Sequence, residues 1–161
     1  MEFLAGMNLT NFIKRRNEIN NPISNYTASK IMKGILSGVA YIHDKGITHR
    51  DMKPDNILIG KGVNDSLSVK LIDFGLGEVK LKALEANDFY CGTLIYMAPE
   101  VVYHKKYTKS VDIWSIGIIM HILITNGIHP YYSPEEGPEN FKKKLASLTK
   151  IEADPKLSRL A

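Results

Sequence analysis

His49-Arg50-Asp51-Met52-Lys53-Pro54-Asp55-Asn56, followed at once by Ile57-Leu58-Ile59, is the stretch around which the rest of the chain is arranged. It reads as a strand end that turns into a loop and returns to a strand. Pro54 holds its own φ near −65° and steers Lys53 towards an extended conformation. The loop is therefore shaped, and its polar groups can converge on one point. Asp51 can accept a proton, Lys53 can hold a phosphate, and Asn56 can offer an amide oxygen to a metal. That set suits phosphoryl transfer, where catalysis is mostly positioning and charge neutralisation.

The loop resembles the H-R-D-x-K-P-x-N catalytic loop of eukaryotic serine/threonine protein kinases. Two further marks follow in the family's order. Asp73-Phe74-Gly75 resembles the DFG magnesium motif, and Ala98-Pro99-Glu100 resembles the APE motif. Cys91-Gly92-Thr93 resembles the form found in the calcium/calmodulin-dependent and related groups. The resemblance implies an α+β fold: a mainly α-helical kinase C-lobe with a small β-hairpin at the active site and no N-lobe sheet. It implies one partial kinase domain over residues 1–161, with the inter-lobe hinge at 1–7 and a truncated C-lobe at 8–161.

The implied activity is transfer of the γ-phosphoryl of ATP, with Mg²⁺, to a protein Ser or Thr hydroxyl. By the resemblance Asp51 is the base, Lys53 neutralises the moving phosphoryl, and Thr93 bonds Asp51 and Lys53. Asn56 and Asp73 are the expected metal ligands. Backbone groups near Glu2 and Leu4 would hydrogen-bond the adenine, with Leu58 as the floor beneath it. Lys53 favours the Ser/Thr class over the Tyr class, whose loop differs there. Small-molecule kinases usually lack the x-K-P and APE marks.

At 161 residues the chain is one domain or part of one. An apolar fraction of 44% is ordinary for a chain that buries a core. The net charge is +4, but the densest basic run, Lys142-Lys143-Lys144, is short and has no interleaved aromatics, so nucleic-acid binding is not indicated. Cys91 is the only cysteine, which excludes an intrachain disulfide and fits a reducing, cytoplasmic setting. No signal peptide is visible at the start.

Helical periodicity appears in three places. Asn8 can cap a short helix with Leu9, Phe12 and Ile13 on one face. Ser24 or Thr27 starts a longer one through about His43, with Ile31, Ile35, Val39 and Ile42 as a core stripe and Gly46 as its stop. Residues 110–125 are nearly all apolar, which predicts a helix buried all round; it is too short and too interrupted to span a membrane. In the kinase resemblance its Asp112 anchors the catalytic-loop backbone, while Trp114 and Gly117 pack beneath the active site. A further helix is expected at about 138–148. Asn56–Ile59 and Val69–Ile72 read as a β-hairpin that brings Asn56 and Asp73 together.

Residues 75–90 read as a mobile loop. Between Leu76 and Cys91 there is no Ser or Thr; Tyr90 and Thr93 are the nearest hydroxyls. That predicts an enzyme without loop phosphorylation, with Glu85 or Asp88 as a substitute charge for Arg50. No G-x-G-x-x-G loop, V-A-I-K lysine or arginine partner for Glu100 is found. Expected partners are ATP and a protein substrate, with a regulatory protein open. The alternative reading is a catalytically inactive kinase-like binding module or partner surface.

Overall fold

A computed structural model describes residues 6–62, 66–73 and 94–152, the last four as backbone alone. Three strands, β1 (Gly6–Asn8), β2 (Ile57–Lys61) and β3 (Leu67–Leu71), form an antiparallel sheet in the order β1-β2-β3. Among the described residues five α-helices accompany it: α1 (Leu9–Glu18), α2 (Asn25–Asp44), the single turn α3 (Pro99–Val102), α4 (Ser110–Ile124) and α5 (Gly137–Glu152). The chain is thus a small mixed helix-and-sheet fold.

The caps sit where the side-chain chemistry puts them. Asn8 Oδ1 accepts the Asn11 amide at 2.8 Å and opens α1. Ser24 Oγ accepts the Thr27 amide at 3.2 Å and opens α2. Past the end of α2, Gly46 takes φ +74°, a conformation that costs glycine little. Ala28, Ile31, Ile35, Val39 and Ile42 form the buried stripe of α2. The first four pack with Leu9 and Ile13 of α1, Ile57 and Ile59 of β2, and Ile116, Ile119 and Leu123 of α4. Each fully buried side chain of this size contributes about 1.5–3 kcal/mol over its exposed state. A second cluster joins Leu94, Met97, Val101 and Val111 to Phe141 and Leu145 of α5.

Four expectations need correction. The 45–53 segment contains no strand, since the amides of His49 and Arg50 are bonded to the Asp112 carboxylate and not to a neighbouring strand. The hairpin belongs to a three-stranded sheet, because Gly6–Asn8 adds to β2 in the register Gly6↔Gly60, Met7↔Ile59 and Asn8↔Leu58. Gly6 permits that pairing, as a Cβ there would lie 2.3 Å from the Ile59 carbonyl oxygen. Helix α4 is not buried all round: Ile113, Met120 and Ile124 are each about half exposed. Gly117 lies on that open side, with no atom outside its own helix within 4 Å of where its Cβ would be, and not packed beneath the 49–56 loop. It lines a broad groove of about 950 Å³ along α4, together with Glu100, Ile113, Trp114 and Met120.

Candidate active site

The loop between α2 and β2 folds over a buried carboxylate. Asp112, on the first turn of α4 and 1% exposed, accepts the His49 amide on Oδ2 at 2.9 Å and the Arg50 amide on Oδ1 at 2.8 Å. Arg50 is held at φ +65°, a strained conformation for a non-glycine residue. His49 Nδ1 accepts the Asp51 amide at 3.4 Å, so its ring proton sits on Nε2, which donates to the Ile72 carbonyl at 2.9 Å. One histidine therefore ties the loop to the end of β3.

Lys53 is extended, at φ −156° and ψ 162°, ahead of a 3-10 turn over Pro54–Asn56. The proline effect expected there is realised. Asp51 is 3% exposed and Asn56 is 4% exposed. Asn56 Nδ2 donates to the Asp51 carbonyl at 2.8 Å and to Asp51 Oδ2 at 2.9 Å. Lys53 Nζ lies 3.3 Å from the same Oδ2. With both amide protons of Asn56 committed inward, its Oδ1 is the oxygen left for another ligand.

Asp73 arrives from the other strand. The Ile72 amide donates to the Asn56 carbonyl at 3.0 Å, extending the β2–β3 ladder by one step. Asp73 then turns out at φ +63° and is exposed. An amide oxygen and a carboxylate from the ends of paired strands are hard donors of the kind Mg²⁺ takes together with phosphate oxygens. Among the described residues no group of three His, Cys, Asp or Glu side chains forms an all-protein metal cage. The donor set therefore fits a metal that arrives with its phosphates.

Leu58 is half-buried and alternates with the core residues Ile57 and Ile59. It faces away from the main core, so it is not simply a core leucine. Glu2, Leu4 and Thr93 lie outside the described residues, as do Phe74, Gly75, Cys91, the 75–90 loop and the final residues 153–161.

The contacts of two histidines were not legible from motifs. His43 Nε2 donates to Asp112 Oδ2 at 2.7 Å. His129 donates from Nε2 to the Ile95 carbonyl at 2.9 Å, while its Nδ1 accepts the amides of Tyr131 and Tyr132 at 3.1 and 3.0 Å. Burial is the chief cause holding His129 below its ordinary pKa. Tyr96, beside it, is pushed up to about 12, first by burial and then by the nearby Asp55 carboxylate. His121 is half-buried and its Nδ1 hydrogen-bonds the Ile128 carbonyl at 3.1 Å.

The sequence matches the protein kinase domain family over residues 1–160. The chain belongs to that family. Among curated relatives, calcium/calmodulin-dependent protein kinase type 1 of Macrobrachium nipponense is 41% identical over 109 residues, which is 68% of this chain and 30% of that protein. A probable myosin light chain kinase of Dictyostelium discoideum is 39% identical over the same share of each. A serine/threonine-protein kinase of Mus musculus is 34% identical over 135 residues, 84% of this chain and 16% of that protein. The match thus spans less than a third of the length of these relatives. The expectation of a serine/threonine protein kinase catalytic domain holds at the level of the family.

Proposed function

We propose that this chain carries the catalytic loop and metal ligands of a serine/threonine protein kinase that transfers the γ-phosphoryl of ATP to protein Ser or Thr hydroxyls. The observation that carries the reading is the convergence of Lys53 and Asn56 on one oxygen of the buried Asp51, at the strand end that leads to Asp73. Asp51 orients the acceptor hydroxyl and takes its proton as the hydroxyl oxygen bonds to the γ-phosphorus. The bond from that phosphorus to the β,γ-bridging oxygen breaks, and ADP leaves. Lys53 offsets the charge on the moving phosphoryl group. Asn56 Oδ1 and Asp73 would hold Mg²⁺, which supplies charge neutralisation at the phosphates. Thr93 is assigned to Asp51 and Lys53, backbone groups near Glu2 and Leu4 to the adenine, and Leu58 to its floor.

We further assign residues 1–7 to the inter-lobe hinge and 8–161 to the larger part of a C-lobe. The open groove along α4 supports this. Its floor is apolar, and among the described residues Glu100 on its wall has no ion-pair partner and the buried Trp114 Nε1 has no acceptor. The reading also carries an intracellular setting, a protein substrate and independence from loop phosphorylation. Mapping phosphosites on the active enzyme tests the last point; a modified Tyr90 or Thr93 required for activity overturns it.

The deciding assay is ³²P transfer from ATP to casein by this chain, by the complete parent protein and by the parent's Asp51→Asn form. The parent is expected to transfer label and the variant to lose about 10²–10⁴-fold. The chain alone is expected to be inactive, leaving it a non-catalytic partner surface. An inactive parent, or an Asp51→Asn form as active as the parent, overturns the reading. Activity of the chain alone overturns the C-lobe assignment.

A further inference from the structure

We infer that His129 is a positioning residue for protein-substrate binding, because it fixes the turn over residues 94–97 beside the catalytic loop. This rests on the phosphoryl-transfer reading above and adds to it a residue from the segment that follows α4.

The turn lies against the catalytic loop. Ile95, Tyr96, His129 and Tyr132 share a hollow of about 430 Å³ with Pro54 and with Ile13 of α1. Asp55, the next loop residue, is near enough for its carboxylate to act on Tyr96. The lining includes neither Asn56 nor Asp73 nor any residue of β2 or β3. The hollow therefore sits away from the candidate metal ligands, on the side of the loop left to a protein acceptor and not to the nucleotide.

Three successive backbone carbonyls set the turn. Leu94 O accepts the Met97 amide at 3.1 Å, Ile95 O accepts His129 Nε2 at 2.9 Å, and Tyr96 O accepts Ser115 Oγ at 2.7 Å. The first bond is internal to the turn and the third comes from α4. His129 brings the middle one from a separate segment. One pin from α4 leaves the turn able to pivot, whereas two pins from different segments fix its orientation.

The ring is itself held. Nδ1 accepts the amides of Tyr131 and Tyr132 at 3.1 and 3.0 Å, across Pro130 with its fixed φ. Edge-on rings of Tyr96, Tyr132 and Phe141 pack around it with centroids at 5.8, 6.1 and 6.0 Å. This arrangement requires the neutral ring, because a protonated Nδ1 is a donor facing two donors. The titratable groups around it are Tyr96 of the turn, Tyr131 and Tyr132 of its own segment, and His121 of α4, which opposes its protonation. Phe141, from α5, carries no charge. Acid thus loosens the pin, and protein-substrate binding weakens as pH falls below the ordinary histidine value of about 6.5.

The test uses the complete parent protein with ATP and casein. His129→Asn keeps an acceptor near the Nδ1 position and loses the donor to Ile95. His129→Gln keeps a donor able to reach Ile95 and loses that acceptor. KM for casein should rise about 3–10-fold in His129→Asn, the effect of one net hydrogen bond, and stay within about twofold of the parent in His129→Gln. KM for ATP should stay within about twofold in both. The melting temperature should rank the other way, with His129→Asn nearer the parent because it keeps the 129–132 turn. A residue that only stabilised the fold would rank KM and melting temperature alike, and that result overturns the inference. From about pH 7.5 to about 5.5 the parent's KM for casein should rise more than that of His129→Gln, which has no titrating ring; equal changes overturn it as well. His129→Asn serves as that reference if His129→Gln fails to fold. Asp51→Asn run alongside separates the two failures. If Asp51→Asn is dead and KM for casein is normal in His129→Asn, only this inference falls. If Asp51→Asn is active, the phosphoryl-transfer reading falls and takes this one with it.

Discussion

Asp112→Asn is the sharpest probe of the loop. The substitution keeps shape and volume but replaces one acceptor oxygen with a donor. If Nδ2 takes the Oδ1 position, the Arg50 amide at 2.8 Å faces another donor. If it takes the Oδ2 position, both the His49 amide and His43 Nε2 lose their acceptor. A buried donor left without a partner costs about 1–3 kcal/mol. The better orientation therefore loses about 1–3 kcal/mol and the worse one about twice that. A domain of this kind is stable by about 5–15 kcal/mol in all, so the chain should still fold. The cost should appear as a lower urea midpoint with an unchanged m-value, and as faster exchange of the His49 and Arg50 amides. Asn at the better orientation also frees Arg50 from its positive φ, so exchange at residue 50 should rise most. A midpoint within about 0.5 kcal/mol of the parent chain, as for an ordinary surface change, with both amides still protected, would refute the view that Asp112 holds the loop.

Gly34→Ala on α2 should destabilise although alanine is the better helix former by about 1 kcal/mol. Its Cβ would lie 2.6 Å from Val69 Cβ, so overpacking of about 1–3 kcal/mol should win; adding Val69→Ala should recover part of it, and additive thermal shifts would count against the contact. Stability should fall with acid on account of His129. Its folded-state pKa is lowered, first by burial, so the unfolded chain takes up the proton first. The contribution is complete above the unfolded value, about 6.5, and is lost as pH falls from there through the folded pKa. The melting temperature should therefore drop more steeply below that pH in the parent chain than in His129→Gln; equal slopes would refute it. Asp73→Asn in the complete parent protein should weaken ATP binding in Mg²⁺ while leaving Mg²⁺-free binding little changed; calorimetry that shows equal losses in both would remove Asp73 from the metal site.

Local chemistry made much of this chain legible in one dimension. The caps Asn8 and Ser24, the stop at Gly46, the stripe from Ile31 to Ile42 and the extended Lys53 before Pro54 depend on neighbours within a turn or two. They appear where the residues place them. The loop His49–Asn56 and the pair Asn56 and Asp73 were readable for the same reason, since a hairpin joins them across a short stretch.

Tertiary structure decided what depends on distant partners. Whether residues 47–49 would be strand or loop turned on Asp112, more than sixty positions away, because backbone amides go to the strongest acceptor within reach, and a buried carboxylate outbids a strand edge. The pairing of Gly6–Asn8 with β2 needed a close approach that only the folded register defines. An all-apolar α4 carries no phase, so its composition could not say which side the core would cover; packing left Ile113, Gly117, Met120 and Ile124 on the open side. His43 looks like any polar residue at a helix end. Only the fold, by bringing the end of α2 against the first turn of α4, places its ring on the carboxylate that also takes the His49 and Arg50 amides.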